Sequence, residues 1–213
     1  MAQAPDRNAP VHTVDGSFLR EWLVLGPFPS REMETDFVAE VGGEANIRPK
    51  EGDTVTRSDG TRLTWTRLRS EFDLVNLEKV FGIQPWSVAY AYCELSSDRA
   101  IETDLRPPTS PSILWLDGSK VEPTLVPPDS SSDVSRALPI HLKAGPNPCL
   151  LKLRVEGGDW VFSMQPLPPE RASVELLVTD AEGRPASGAV IQLYDQGEPL
   201  WRLRTGTNGL AEA

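Results

Sequence analysis

The sequence predicts an all-β fold, in which a jelly-roll β-sandwich is followed by a smaller, partial β-sandwich. Short apolar or alternating segments recur along the 213 residues, and turn-forming sequences separate them. The 20 prolines are spread along the chain, where they interrupt long helices and favour short strands joined by rigid turns. The hydrophobic content of 39% is sufficient for a packed core.

The first domain is predicted to span residues 16–165, after a polar, flexible lead-in at residues 1–15. Residues 88–95 predict its central strand, because apolar side chains occupy both faces, as in a strand that is buried on both sides. Val88, Tyr90 and Tyr92 lie on one face of this strand, and Ala89, Ala91, Cys93 and Leu95 on the other. The remaining strands are predicted at residues 18–25, 62–68, 101–105, 113–116, 120–121, 137–142, 149–155 and 160–164.

Turn signals separate these strands. Asp59-Gly60 and Asp117-Gly118 predict hairpins, because both central residues of a type I′ turn need positive φ. Further turns are predicted at residues 26–29 (Gly-Pro-Phe-Pro) and 145–148 (Gly-Pro-Asn-Pro). Residues 32–53 predict a long ordered loop with room for one helical turn, and residues 127–133 a loop rich in proline and serine.

A smaller second domain is predicted at residues 172–213, after a proline-rich linker at residues 166–171. Its strands are predicted at residues 172–179, 189–194 and 200–205, with turns at residues 180–183 and 208–209. These strands make only part of a sandwich, and the sequence stops after a turn that would lead into another strand. We therefore expect this domain to be the beginning of a longer one.

The charge of the chain argues against two classes of partner. A formal net charge of −10 leaves no surplus of Lys and Arg to neutralise phosphates, so neither nucleic acid nor an anionic membrane surface is an expected partner. No apolar run approaches the roughly 18 residues of a membrane-spanning helix.

The small residues Ala2-Gln3-Ala4-Pro5 resemble what remains after cleavage of a secretory signal. They predict an extracytoplasmic location, periplasmic or secreted, with a plain cytoplasmic start as the alternative.

The sequence predicts that the protein is not an enzyme. Its two histidines are His12 in the lead-in and His141 in a strand, where His141 is expected to face solvent. Zinc-protease, nucleophile-elbow, phosphate-loop and Cys-x-x-Cys motifs are all missing.

Cys93 and Cys149 lie in apolar strand-like segments, where they could pair. We favour buried free thiols, because a sandwich of this size does not need a covalent cross-link.

Calcium is the metal that the acidic loop could hold. A hard cation takes six to eight oxygen ligands, roughly, from carboxylates and carbonyls of an irregular loop. Asp36, Glu40 and Glu44 are the candidate ligands, and Glu51 and Asp53 could add to them. The spacing is not that of a dedicated calcium loop. We therefore favour a solvated acidic loop in which Asp36 or Glu44 caps backbone amides, and expect no cofactor, with structural calcium as the alternative.

Carbohydrate is the ligand that the aromatic residues favour. Sugars stack their apolar CH faces on exposed rings and bind planar polar side chains through their hydroxyls. Trp86 is the best candidate, since Gln84-Pro85-Trp86 precedes a strand in a loop, although packing beneath that loop is the alternative. The candidate ligand-binding residues are Trp86, Trp65, Gln84 and Trp160, whereas Trp22 and Trp115 lie in apolar runs and are assigned to the core.

Several short motifs also suggest a family for residues 16–165. They are Trp22-Leu23-Val24-Leu25-Gly26-Pro27-Phe28, Asp36-Phe37, Gly42-Gly43-Glu44, the strand 90–95, Ile113-Leu114-Trp115-Leu116-Asp117-Gly118, Leu142-Lys143-Ala144-Gly145, Asn147 and Leu150-Leu151-Lys152, ahead of Trp160. Together they resemble the galactose-binding-like jelly-roll domains of bacterial secreted glycosidases and multidomain sensor proteins. Pro146 departs from that pattern, where tryptophan or glutamate is common, and this affects loop detail rather than fold.

The residues from Ala172 onward carry a second resemblance. The motifs are Val178-Thr179-Asp180, Gly183-Arg184-Pro185, Gly188-Ala189-Val190, Leu193, Thr205 and Thr207-Asn208-Gly209. They resemble the carboxypeptidase-regulatory-like repeat, an Ig-like or transthyretin-like β-sandwich, of which the final strands are missing here. The resemblance implies a spacer or adhesion role without chemistry.

These observations predict a non-catalytic ligand-binding module of a larger extracytoplasmic bacterial protein, with carbohydrate as the expected ligand. Its other partners would be the neighbouring domains of the parent chain. Two alternatives remain. The chain could be the input domain of a bacterial sensor for another small ligand, or a structural connector whose aromatic residues are all buried.

Overall fold

In a computed structural model of the chain, the described residues are 8–29, 32–106, 108, 112–121, 138–157, 159–168, 176–195, 198–208 and 210–211. They form two compact units, one containing the described residues up to 168 and the other those from 176 onward. The predicted loop at 127–133, the serines in it and residues 169–171 of the predicted linker lie outside the described residues.

The regular secondary structure of both units is almost entirely strand, which confirms the all-β prediction. The helices described are a 3-10 turn at Ala39–Val41 and a single α-helical turn, α1, at Glu78–Phe81. The strands of the first unit are β1 (Val11–Thr13), β2 (Glu21–Pro29), β3 (Thr54–Thr56), β4 (Arg62–Thr64), β5 (Thr66–Arg69), β6 (Val75–Asn76), β7 (Ser87–Ser97), β8 (Ile101–Arg106), β9 (Ser112–Leu116), β10 (Ser119–Val121), β11 (Leu138–Leu142), β12 (Gly145–Val155), β13 (Val161–Phe162) and β14 (Gln165–Pro166).

The largest sheet of the first unit has the strand order β10-β9-β12-β7-β2-β5, with β1 added parallel to β7. A second sheet has the order β11-β8-β14, and the pairs β3-β4 and β6-β13 complete the unit. Apart from β1, the strand pairs are antiparallel. The architecture is sandwich-like, and the finer jelly-roll assignment stays a prediction.

Strand β7 is the centre of the large sheet and is buried on both faces, as its sequence predicts. Its residues Ala89, Ala91, Cys93 and Leu95 pack into a first hydrophobic cluster, to which β8 and β11 of the second sheet also contribute. Its residues Val88, Tyr90 and Tyr92 pack into a second cluster on the opposite face. The large sheet therefore separates two cores.

The second cluster is covered by the segment between β2 and β5. Val38 and Ile47 of the long loop, Val55 and Leu63 of the β3-β4 hairpin, and Trp65 pack onto this face of the large sheet. The predicted loop at residues 32–53 thus contains the predicted helical turn and serves as a lid over one side of the sheet.

Several sequence predictions are confirmed at the level of single residues. Asp117 and Gly118 both have positive φ, 49° and 84°, in the two-residue turn between β9 and β10. Asp59 and Gly60 turn the chain between β3 and β4. Trp22 and Trp115 are buried core residues, and His141 is exposed on β11.

Two predicted turns are wrong, because both segments belong to strands. Residues 26–29 continue β2, whose register with β7 shifts between Leu25 and Phe28. Pairing of β2 with β5 ends at Val24, so the prolines lie where the strand has one described neighbour and can lack N–H groups. Residues 145–148 begin β12. There the buried Asn147 side chain accepts from Lys143 N and donates to the carbonyls of Lys143, Gly145 and Leu95.

Three other boundaries differ from the prediction. The predicted strand 62–68 is divided at Trp65, where the chain leaves β3 and joins β2. Residues 11–13 of the predicted lead-in form β1, because backbone pairing with β7 needs no apolar periodicity. Gln165, the last residue of the predicted first domain, and Pro166, the first of the predicted linker, form β14 and pair with β8.

The second unit contains short strands. Strand β15 (Leu176–Leu177) pairs with β18 (Leu210–Ala211), and β16 (Val190–Asp195) forms a hairpin with β17 (Glu198–Arg204). The predicted turn at residues 180–183 is present, since Asp180 O accepts from Gly183 N and Asp180 Oδ1 from Glu182 N. The described side chains of Leu177 and Val190 are exposed in this unit.

Candidate functional site

The loop at residues 82–86 carries the exposed Trp86; Phe72, between β5 and β6, is a second exposed aromatic residue of the first unit. The loop connects α1 to β7 and begins with Gly82, whose N–H donates to Glu78 O at 2.9 Å. Trp86 is 42% exposed, and Ile83 in the same loop is also exposed. Of the tryptophans whose side chains the structure describes, Trp86 alone is exposed to this extent.

The backbone of Trp86 lies in the left-handed region, with φ of 56°. A bulky residue is a genuine outlier in this region, because its Cβ crowds the neighbouring carbonyl. The other non-glycine residue with positive φ, Asp117, is explained by its type I′ turn. Trp86 follows Pro85 in a turn, at a position of positive φ that glycine or asparagine usually occupies, so a tryptophan there carries strain of the kind that often marks functional segments.

Gln84 and Trp160 both contact Phe81 of α1, the helical turn that precedes this loop. Gln84 Nε2 donates to Phe81 O at 3.3 Å, which leaves its carboxamide oxygen as an acceptor on the loop. The Trp160 ring packs against Phe81 with 5.6 Å between centroids, and Trp160 O accepts from Leu77 N at 2.9 Å. Trp160 is only 2% exposed. Its ring cannot stack on a ligand in this structure and instead supports α1.

Trp65 is likewise buried, with 1% of its surface exposed. Its ring packs edge-on against Tyr92, with 6.5 Å between centroids. It lies at the base of a cleft of about 430 Å³ whose walls include Ile47, Arg48, Asp53 and Val55. The structure therefore does not bring Trp65 together with the Trp86 loop, because Trp65 belongs to the second cluster beneath the long loop.

Two of the three acidic residues of the predicted calcium site, Asp36 and Glu44, bind the protein itself. Asp36 Oδ1 accepts from Val38 N at 2.9 Å and Asp36 Oδ2 from Glu44 N at 3.2 Å, so Asp36 caps backbone amides. Glu40 is exposed in the 3-10 turn. Within the described ranges, no group of three or more His, Cys, Asp or Glu side chains is arranged to hold a metal ion. The geometry gives the calcium alternative no support.

The third of these acids, Glu44, binds a buried lysine. Lys152 lies on β12, 0% exposed, and its Nζ donates to Glu44 Oε1 at 2.7 Å and to Thr35 O at 2.6 Å. The same Glu44 oxygen accepts from Tyr90 OH at 2.6 Å. Lys152 Nζ also lies 5.2 Å from the Phe37 ring centroid and 5.5 Å from that of Tyr90.

This lysine cluster, comprising Lys152, Glu44, Tyr90, Phe37 and Thr35, fastens the long loop to the large sheet. Burial, followed by the neighbouring Glu44 carboxylate, raises the pKa of Tyr90 far above its ordinary value, so the phenol stays protonated and donates. Sequence reasoning missed the cluster. Its one signal was a lysine in the middle of the apolar strand CLLKLRV.

The chain matches no protein-family model, and no curated protein or solved structure is detectably similar to it. No helix in the described part of the chain is long and apolar enough to cross a bilayer. The candidate binding surface therefore depends on its own geometry: the Trp86 loop, supported by α1 and Trp160.

Proposed function

We propose that this protein is a non-catalytic carbohydrate-binding module of a larger extracytoplasmic protein, and that the Trp86 loop is its contact surface. The observation that carries the proposal is the exposed Trp86 ring on a left-handed backbone. Holding a non-glycine residue in such a conformation costs about 1–3 kcal/mol, which the rest of the fold must offset. A ring that binds a ligand would explain why tryptophan occupies a position that glycine or asparagine would occupy with less strain.

The chemistry of the loop suits a sugar. An exposed indole offers an apolar face to the CH groups of a pyranose ring, and the Gln84 carboxamide beside it can bind hydroxyls. Exposed Ile83 adds apolar area to the same loop. The resemblance to galactose-binding-like domains supports the same ligand class.

Isothermal calorimetry with a panel of neutral and acidic oligosaccharides tests the proposal. We expect saturable binding by the wild-type protein and an affinity weakened about tenfold or more by Trp86→Ala, because a lost stacking contact is worth at least roughly 1.4 kcal/mol. Trp86→Phe should retain part of the affinity, and Phe72→Ala, the control that removes an exposed ring outside the loop, should change it little. Calorimetry is preferred to fluorescence, since Trp86→Ala removes a fluorophore.

The structural connector is the second candidate, and the burial of Trp22, Trp65, Trp115 and Trp160 favours it. In that case the Trp86 ring would contact a neighbouring domain rather than a soluble ligand. Flat titrations from protein that unfolds cooperatively would reject the carbohydrate proposal in favour of this connector. Binding of a non-carbohydrate metabolite that Trp86→Ala abolishes would point instead to the sensor input domain.

A further inference from the structure

The two cysteines of the chain lie directly opposite each other on the two longest strands of the large sheet. Cys149 of β12 is registered with Cys93 of β7, and both side chains belong to the first hydrophobic cluster. Both are fully buried and both are free thiols in the structure. The pair is unrelated to the Trp86 loop, so a role for it is independent of the proposed binding function.

The backbone hydrogen bonds of β7 indicate the separation of the Cys93 and Cys149 Cα atoms. Glu94 N donates to Pro10 O on the β1 side of β7, so the neighbouring Cys93 directs its backbone groups toward β12. Cys93 and Cys149 therefore form a hydrogen-bonded pair, whose Cα atoms lie about 5.5 Å apart in regular antiparallel sheets. Natural disulfides have Cα separations of about 4.4–6.8 Å, with about 5.5–6 Å the commonest. Because directly opposed side chains project from the same face, a bond requires side-chain rotation and no change in register.

In the folded protein, disulfide formation between the two cysteines is limited by the access of an oxidant rather than by the geometry of the pair. Burial, followed by the adjacent Cys149 thiol, raises the pKa of Cys93 well above its ordinary value. The thiolate is the reactive form of cysteine, so Cys93 is a poor nucleophile in the folded protein. Oxidation must therefore occur before the sandwich closes, or when the strands open.

We propose that Cys93 and Cys149 form a cross-strand disulfide when the chain folds in the presence of a disulfide oxidant, such as glutathione disulfide or a dithiol oxidase. One cysteine thiolate attacks a sulfur of the oxidant's disulfide and expels one oxidant thiolate. The second cysteine thiolate then attacks the mixed disulfide and expels the other. The protein loses two protons and two electrons, and the oxidant leaves as two thiols. The bond cross-links β7 to β12 and is afterwards shielded by the first cluster.

The test compares protein refolded from reduced guanidinium solution in a glutathione redox buffer with protein refolded under a phosphine reductant. Each sample is denatured, alkylated and analysed by intact mass and peptide mapping. We expect no alkylated cysteine after oxidative refolding, a mass lower by about 2 Da before alkylation, and a Cys93–Cys149 peptide from monomeric protein. We also expect the oxidised form to unfold at a higher guanidinium concentration.

The double variant Cys93→Ala/Cys149→Ala is the control, and its unfolding midpoint should be the same from both buffers. Folded, reduced wild-type protein that is incubated with diamide offers a route independent of refolding, and the same cross-link should form there slowly. Two alkylatable thiols per chain after both treatments, in protein that unfolds cooperatively, would overturn the proposal. Intermolecular dimers without the internal cross-link would overturn it as well.

Discussion

The buried ammonium group of Lys152 joins the long loop to one face of the large sheet. Moving a charged group out of water costs several kcal/mol unless partners surround it. Lys152 finds its partners on the long loop, at Thr35 O and Glu44, and between the rings of Phe37 and Tyr90. The loop is therefore held at a buried face by charge as well as by apolar packing. The carboxylate that a calcium ion could have bound is occupied by this lysine.

Removing the ammonium should cost far more stability here than at the surface. We expect Lys152→Ala to lower the free energy of unfolding by about 3–5 kcal/mol, because it leaves Glu44 charged and unpaired near the core. Lys143→Ala, which breaks the exposed pair with Asp117, should cost less than about 1 kcal/mol. Guanidinium denaturation followed by tryptophan fluorescence measures both.

A double-mutant cycle separates the pair from the packing around it. Lys152→Met/Glu44→Gln should cost less than the sum of the two single changes by about 1–3 kcal/mol, because neither charge is then left alone and the introduced carboxamide can still accept from Tyr90. Additive losses would show that the salt bridge itself contributes little.

At the scale of elements, the β9-β10 hairpin and the long loop constrain each other. Gly118, in the hairpin turn, has φ of 84°, and a Cβ built there would lie 2.7 Å from Ala45 O of the loop. The turn type alone explains the positive φ of Gly118. The closeness of the loop backbone is a second constraint, because a Cβ at this position fits only if the loop moves. One glycine thus serves both the turn and the contact between two elements.

Gly60 offers a matched comparison for this contact. It has φ of 83°, and a Cβ built there meets nothing within 4 Å. We expect Gly60→Ala to destabilise the protein by about 1–2 kcal/mol through its backbone conformation. Gly118→Ala should cost about 1–3 kcal/mol more, because the loop must also move. Equal losses of unfolding free energy in chemical denaturation would mean that the loop yields to the added methyl group without cost.

At the scale of the whole molecule, the first unit contains the buried apolar core that the structure describes. Among the described side chains, the buried apolar ones lie between Leu19 and Met164, all within the first unit. The first unit therefore holds both hydrophobic clusters, and its stability should not depend on the second.

Deletion of residues 170–213 should leave the first unit folded. We expect its thermal midpoint in near-UV circular dichroism to change by less than about 3 °C, a shift that corresponds to under roughly 1 kcal/mol. Deletion of residues 156–213 is the contrasting variant, because it also removes Trp160, Phe162 and Met164 from the first cluster. That variant should lose cooperative unfolding. A large drop in midpoint for the shorter deletion would show that the second unit stabilises the first.

The sequence by itself determined the features that are coded locally. Apolar side chains on both faces of residues 88–95 identified β7 as a strand buried on both faces. Alternation in residues 137–142 assigned His141 to solvent, because side chains in a strand alternate between faces. Asp-Gly pairs identified two turns; at Asp117-Gly118 both residues have positive φ, whereas at Asp59-Gly60 the glycine alone does. The core positions of Trp22 and Trp115 followed from the apolar runs around them.

Only the tertiary structure decided which segments cover which faces. Alternation shows that a side chain leaves one face of a sheet, but it does not show what packs there. For that reason Trp65 and Trp160 proved to be buried while Trp86 is exposed. Lys152 and Glu44 are 108 positions apart, and Cys93 and Cys149 meet only through the register of β7 and β12. Such pairings arise when distant segments close one core, and no local pattern in the chain encodes them.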